Sequence, residues 1–271
     1  MSTSHELVRQ ARHGDVVTVH FNDPGRLNAM TRDMGEAFRD TVAELATDES
    51  LRAVVITGEG RAFSAGGDLV MLQEQADLGA AAPGRAWRGI RDTMSSFYRL
   101  FLSVRDLACP TIAALNGHAI GAGFCVALGC DFRYTANEAK LGLNFTRLGV
   151  HPGMAATWNL PRLVGPALAA ELLYTSRIID GEEALRVGLA NRAMPRESVL
   201  AEAQATAAEI AENAPLAVRA VKQALRRSES SSIEDQLQFE ASEQAKHFES
   251  KDAQEGIAAV REKRDPSFEG R

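Results

Sequence analysis

Thr57-Gly58-Glu59-Gly60-Arg61-Ala62-Phe63-Ser64-Ala65-Gly66-Gly67-Asp68-Leu69 is the stretch on which the reading of the fold turns. It follows Val54-Val55-Ile56, a β-branched run of the kind that fills a buried strand. A strand that runs into paired glycines and then an apolar residue predicts a tight turn feeding a helix. The same arrangement returns downstream. Thr111 to Leu115 reads as a strand, Asn116-Gly117 turns it, and Gly121-Ala122-Gly123 opens an apolar helical segment from Phe124 to Leu128. Small residues at both places let backbone N–H groups approach a ligand closely, and a helix N-terminus favours negative charge there. Two convergent backbone donors could stabilise an oxyanion. The plainer alternative is a pair of tight turns whose small residues serve packing.

Outward from these stretches, strand and helix signals alternate. Val16, Val17, Val19 and Phe21 form a strand ending at the turn Asn22-Asp23-Pro24-Gly25. Thr31 is a candidate N-cap for a helix whose apolar face holds Met34, Phe38, Val42 and Leu45, and Asp48 to Ser50 end it. Gly79 to Gly84 reads as a small-residue spacer. From Trp87, the residues Ile90, Met94, Phe97, Tyr98 and Phe101 recur at helical spacing, and Cys109-Pro110 is expected to close that helix. Phe132 to Thr135 is a further strand. Beyond about Pro195 the composition shifts to Ala, Glu, Gln and Lys, read as three helices split near Asn213-Ala214-Pro215 and Ser228 to Ser232. An α/β core with a helical C-terminal region follows.

Composition removes several functions. With 271 residues, 30 Lys+Arg against 36 Asp+Glu and a net charge of −6, the chain has no cationic excess for a phosphate backbone, so no nucleic-acid partner is expected. Cys109, Cys125 and Cys130 lie in apolar stretches without CxxC spacing, which argues against disulfides or zinc. The histidines show no metal-ligand spacing either. No apolar run spans a bilayer, and Met1 to Asp15 lack the apolar segment of a secretory signal, so a cytoplasmic protein with no membrane partner is expected. Val126 stands where the dinucleotide fingerprint needs its third glycine, and there is neither a P-loop nor a G-x-S-x-G elbow.

With Arg26-Leu27-Asn28-Ala29, Pro110 through Gly123, Cys130-Asp131, Leu160-Pro161-Arg162-Leu163-Val164-Gly165, Gly181-Glu182-Glu183-Ala184, Gly188-Leu189-Ala190-Asn191-Arg192 and Lys263-Arg264-Asp265-Pro266-Ser267-Phe268 added to the opening stretch, the chain resembles the crotonase superfamily, the enoyl-CoA hydratase/isomerase family. The resemblance runs from about Val16 to Phe268. It implies a crotonase-like ββα spiral core over residues 1–195 and a C-terminal helical trimerisation region over 196–271, assembled as a homotrimer or a dimer of trimers. It also implies an acyl-CoA substrate, with no cofactor besides the CoA that the substrate carries. The thioester oxygen would lie between the backbone N–H groups of Gly67 and Ala122. Arg26, Leu27, Ala62, Ser64, Ala65, Gly66, Asp68, Leu69, Gly121 and Gly123 would line the CoA and substrate pocket, and Lys263 would reach the CoA phosphates.

The departures matter as much. The two glutamates of family hydratases correspond to Cys125 and Phe145, and an acid used by several isomerases and a dehalogenase corresponds to Gly153. Hydration needs a positioned acid/base, which none of these three supplies. His151 is the catalytic candidate that remains, with a hydrogen-bonded structural histidine as the alternative. Asp68 is read as a helix cap, and Cys125 as packing, because apolar surroundings raise a thiol's pKa. Hydratase/isomerase chemistry is the leading expectation. Isomerase, thioester hydrolase or decarboxylase chemistry, or a CoA-thioester-binding oligomer with little activity, are its alternatives.

Overall fold

A computed structural model describes residues 7–271; residues 1–6 of the expected core lie outside it. The β-branched runs pair first. Strands β1 (Val8–His13) and β2 (Val16–Phe21) form an antiparallel hairpin with His13 opposite Val16. Strand β3 (Ala53–Gly58) lies parallel to β2 and is buried along its whole length, as a strand covered on both faces must be. With β5 (Thr111–Leu115), β7 (Phe132–Ala136) and β9 (Arg192–Met194) they complete a six-stranded sheet in the order β1-β2-β3-β5-β7-β9.

Three very short strands form a second, parallel sheet: β4 (Ala62–Ser64), β6 (His118–Ile120) and β8 (Leu141–Gly142), in that order. The chain therefore repeats one move. It leaves the large sheet on β3, β5 or β7, crosses to the small sheet on β4, β6 or β8, and then enters a helix. Those helices are α2 (Leu69–Ala81) with α3 (Trp87–Leu102), α4 (Ala122–Gly129), and α5 (Ala156–Thr175), whose path kinks at Gly165. This is the expected ββα spiral, and the crotonase fold class is confirmed.

Helix α1 (Arg32–Ala46) starts where the cap signal placed it, with the Thr31 hydroxyl accepting the Met34 N–H at 3.1 Å. Its Phe38 joins Phe21, Phe63, Phe97 and Phe101 in an aromatic cluster with ring centroids 5.1–6.4 Å apart. The stripe read from Trp87 thus supplies Phe97 and Phe101 to the core, while Trp87 itself is exposed. Helix α3 stops at Leu102 rather than at Cys109-Pro110, because a short 3-10 turn, Ser103–Asp106, tightens the chain before the proline. The Gly79–Gly84 spacer is helical as far as Ala81, since its alanines extend α2.

Past a short helix α6 (Gly181–Arg186), the C-terminal region holds four helices, not three: α7 (Arg196–Ala211), α8 (Pro215–Ser228), α9 (Ile233–Phe248) and α10 (Lys251–Glu262). The missed break is at Ser250, which caps α10 by accepting the Ala253 N–H at 3.1 Å. The expected boundary at 195/196 falls just before a helix that belongs to the core. Val199, Ala203 and Ala207 of α7 are fully buried. Helix α8 is anchored too, by Lys222, whose ammonium donates to Cys109 O at 2.5 Å and pairs with Asp131 at 2.8 Å. Burial pushes that lysine below its ordinary range, and the Asp131 carboxylate opposes the shift.

Candidate active site

Strands β4 and β6 are parallel neighbours, with Ala62 opposite His118, so their C-terminal ends deliver both glycine-rich turns to one place. Gly66 has φ +101°, and a Cβ there would stand 2.7 Å from Ile120 O and 3.8 Å from Ala122 N; only glycine fits. Gly121, at φ 51° and ψ −120°, turns the chain into α4. Ala122 is the first residue of that helix and has negative φ, so its side chain leaves the main-chain donor intact. Its N–H is one of the donors that a helix start leaves open. Among the described residues, neither the Gly67 N–H nor the Ala122 N–H donates a hydrogen bond.

A second strip of backbone runs beside the first. Ala65 N–H donates to Leu27 O at 2.9 Å, Met30 N–H to Gly66 O at 2.7 Å and Asp68 N–H to Met30 O at 3.2 Å. These bonds bring Arg26 and Leu27 against Ala65 to Asp68. Arg26 is exposed, 3.3 Å from the Asp68 carboxylate and 4.0 Å from that of Asp23. Asp68 caps α2, accepting the Val70 N–H at 3.2 Å, and Leu69 is 70% exposed beside it. Ala62 and Ser64 are buried and shape the site from behind. The Ser64 hydroxyl donates to Asn28 O at 2.7 Å and accepts the Gly66 N–H at 3.1 Å. Gly123 lies against that serine, where a Cβ would come within 2.5 Å of Ser64 Cβ.

Two expected residues make no described contact with this cluster. His151 is exposed, and its Nδ1 donates to the neighbouring Pro152 O at 2.7 Å, which leaves Nε2 as the free acceptor. Lys263 is the exposed, left-handed C-cap of α10, and no described contact joins it to the pocket. Cys125 is fully buried on α4, its thiol donating to Gly153 O at 3.7 Å. Burial holds that thiol far above the ordinary range and raises Cys130 to about 12 and Cys109 to about 11, so none is a thiolate at neutral pH. The third spiral turn also reaches the site. The Phe145 ring and the Asn144 amide oxygen stand 4.0 and 3.2 Å from where a Gly121 Cβ would be.

Asn28 has a role the motif alone did not assign. It is fully buried at φ 54°, a conformation in which asparagine is enriched. Its Oδ1 accepts the Asp23 N–H at 2.8 Å, and its Nδ2 donates to Glu59 O and Ala62 O at 2.9 Å each. A turn asparagine after Arg-Leu was the available signal. Among the described residues there is no group of three His, Cys, Asp or Glu able to hold a metal, and no helix long and apolar enough to cross a membrane.

The sequence model of the family described as enoyl-CoA hydratase/isomerase matches residues 11–271. The chain is 32% identical over 266 residues to a crotonyl-CoA hydratase of Syntrophomonas wolfei, covering 98% of each. It is 35% identical over 278 residues to a carnitinyl-CoA dehydratase of Citrobacter koseri, covering 98% of this chain and 99% of that one. It superposes on the crystal structure of an enoyl-CoA hydratase from Bacillus anthracis with a TM-score of 0.87 at 32% identity, covering 98% of this chain and 100% of that one.

Proposed function

The chain belongs to the enoyl-CoA hydratase/isomerase family and is an enzyme of that class, and from this premise we propose that it holds the thioester oxygen of an acyl-CoA between the N–H groups of Gly67 and Ala122. The observation that carries the reading is the convergence of two unengaged main-chain donors on adjacent turns, locked by the approach of Gly66 to Ile120 O. Such donors act on charge that develops on the thioester oxygen as the acyl group becomes an enolate. Arg26, at the exposed lip beside Asp68, is the cation for the CoA phosphates.

The test is turnover of crotonyl-CoA, followed by loss of the conjugated thioester absorbance, with free CoA binding measured on the same sample. Turnover with CoA binding is the expected result, and Arg26→Ala is expected to weaken CoA about tenfold, the effect of one exposed charge-assisted contact. A protein that neither binds CoA nor turns over any member of an acyl-thioester panel overturns the reading. CoA affinity unchanged in Arg26→Ala removes that residue from the pocket.

The same reading includes self-association through the C-terminal helices. Leu225, Ile233, Leu237, Phe248 and Val260 on α8 to α10 are more than half exposed, an apolar surface that another subunit would cover. A chain ending at Ser231 is expected to sediment as a monomer, and the full chain as a trimer or a dimer of trimers. A truncated chain that still sediments as a trimer places the contact elsewhere.

A further inference from the structure

One of the three positions that lack a carboxylate, Gly153, packs directly on Tyr98 of α3, and a second, Cys125, hydrogen-bonds to Gly153. A Cβ on Gly153 would stand 2.5 Å from both Cζ and the hydroxyl oxygen of Tyr98, so the phenol fills the space where a side chain at 153 would begin. Gly153 O in turn accepts the Cys125 thiol at 3.7 Å. Cys125 is three residues beyond Ala122 on α4, so this bond ties the Gly153 turn that packs on the phenol to the helix that carries the open donor. Phe145 places its apolar ring beside Gly121, at the start of that helix. Tyr98 is half-buried. Among the described residues its hydroxyl makes no hydrogen bond, and it is not among the fully buried polar atoms left without a partner, so it retains access to open space. Polar tips of partly buried tyrosines ordinarily find a partner.

We infer that Tyr98 is the proton-transferring catalytic residue of this site, taking the place of the absent carboxylates. The inference rests on the oxyanion reading above. For addition of water to an enoyl thioester, the water oxygen bonds to Cβ and the double-bond electrons move to an enolate held at Gly67 and Ala122. The Tyr98 O–H bond breaks and its proton bonds to Cα through the enolate electron pair, restoring the thioester carbonyl. The phenolate then takes the surplus proton of the added water. The phenol is regenerated, and one water is the only co-reactant. Burial raises the phenol above its ordinary range, which keeps the proton in place for donation at neutral pH.

The experiment compares wild type, Tyr98→Phe, Gly153→Ala and Ala122→Pro with crotonyl-CoA in deuterium oxide, reading turnover and deuterium at Cα, with free CoA affinity and thermal midpoint measured alongside. Tyr98→Phe removes only the hydroxyl. It is expected to lower kcat at least a hundredfold and to slow deuterium entry equally, with CoA affinity and thermal midpoint unchanged. Gly153→Ala, which displaces the ring while keeping the phenol, is expected to lower kcat in the same way, so the inference does not hang on one variant. If Ala122→Pro is inactive while Tyr98→Phe retains wild-type kcat, the tyrosine inference falls and the oxyanion reading stands. If wild type is inactive on every thioester, or Ala122→Pro is fully active, both fall.

Discussion

Replacing Ala122 with proline is expected to lower kcat about a hundredfold to a thousandfold, the 3–4 kcal/mol roughly associated with one preorganised oxyanion donor. The substitution is selective because of where Ala122 stands. It is the first residue of α4 and has negative φ, the helical position at which proline is tolerated since the missing N–H has no intrahelical partner. Glycine precedes it, so no Cβ meets the proline ring. The helix, the sheet and the Arg26 lip are therefore expected to survive, with a thermal midpoint within a few degrees of wild type and unchanged affinity for free CoA. A kcat within tenfold of wild type would remove the Ala122 N–H from the chemistry, whatever CoA does.

Asn28→Ala is expected to cost about 3–4 kcal/mol of stability, the largest effect for a residue that touches no reacting atom. Asn28 makes three hydrogen bonds, to Asp23, Glu59 and Ala62, and tethers the loop that carries Arg26 and Leu27 to the turn between β3 and β4. Alanine leaves two carbonyls and an N–H without that partner, at about 1 kcal/mol or more for each that stays buried. It also holds a left-handed φ at a further cost of about 1–2 kcal/mol. For a chain of this length the thermal midpoint should fall by about 5–7 °C. Asn28→Asp retains the acceptor for Asp23 but turns a carboxylate toward two carbonyls, so it should rescue little. A loss below 1 kcal/mol in Asn28→Ala would show that the loop is held by its backbone bonds alone. CoA affinity should fall with stability, because the same loop presents Arg26.

The proposed reactive centre and the loop scaffold differ in how they were legible. Ala122 and Gly67 are proposed as donors through the resemblance, since a glycine pair after a strand has the plain packing alternative. Asp68 as a cap was readable from residue type and position, and the Val70 N–H contact agrees. The Ser64 hydroxyl looked like a pocket group, but it is spent on Asn28 O and Gly66 N. No local pattern shows where a buried hydroxyl points. Tyr98 read as one more member of an apolar stripe. Only the packing of α3 against the Gly153 turn separates it from Phe97 and Phe101.

What the sequence by itself determined was local. The runs at 16–21, 54–56, 111–115 and 132–135, the Thr31 cap and the amphipathic stripe from Trp87 were each readable from a few residues, and each formed an element of the expected kind. The tertiary structure decided everything that depends on partners far along the chain. Strands β4, β6 and β8 are two or three residues long, too short for any periodicity, and exist because they pair with one another. The pairing of β4 with β6, more than fifty residues apart, sets Gly66 against Ile120 O and beside Ala122. The packing of α3 on the Gly153 turn likewise decides what Tyr98 meets. Periodicity reports which face of an element is buried, and the crossover connections decide what that face meets.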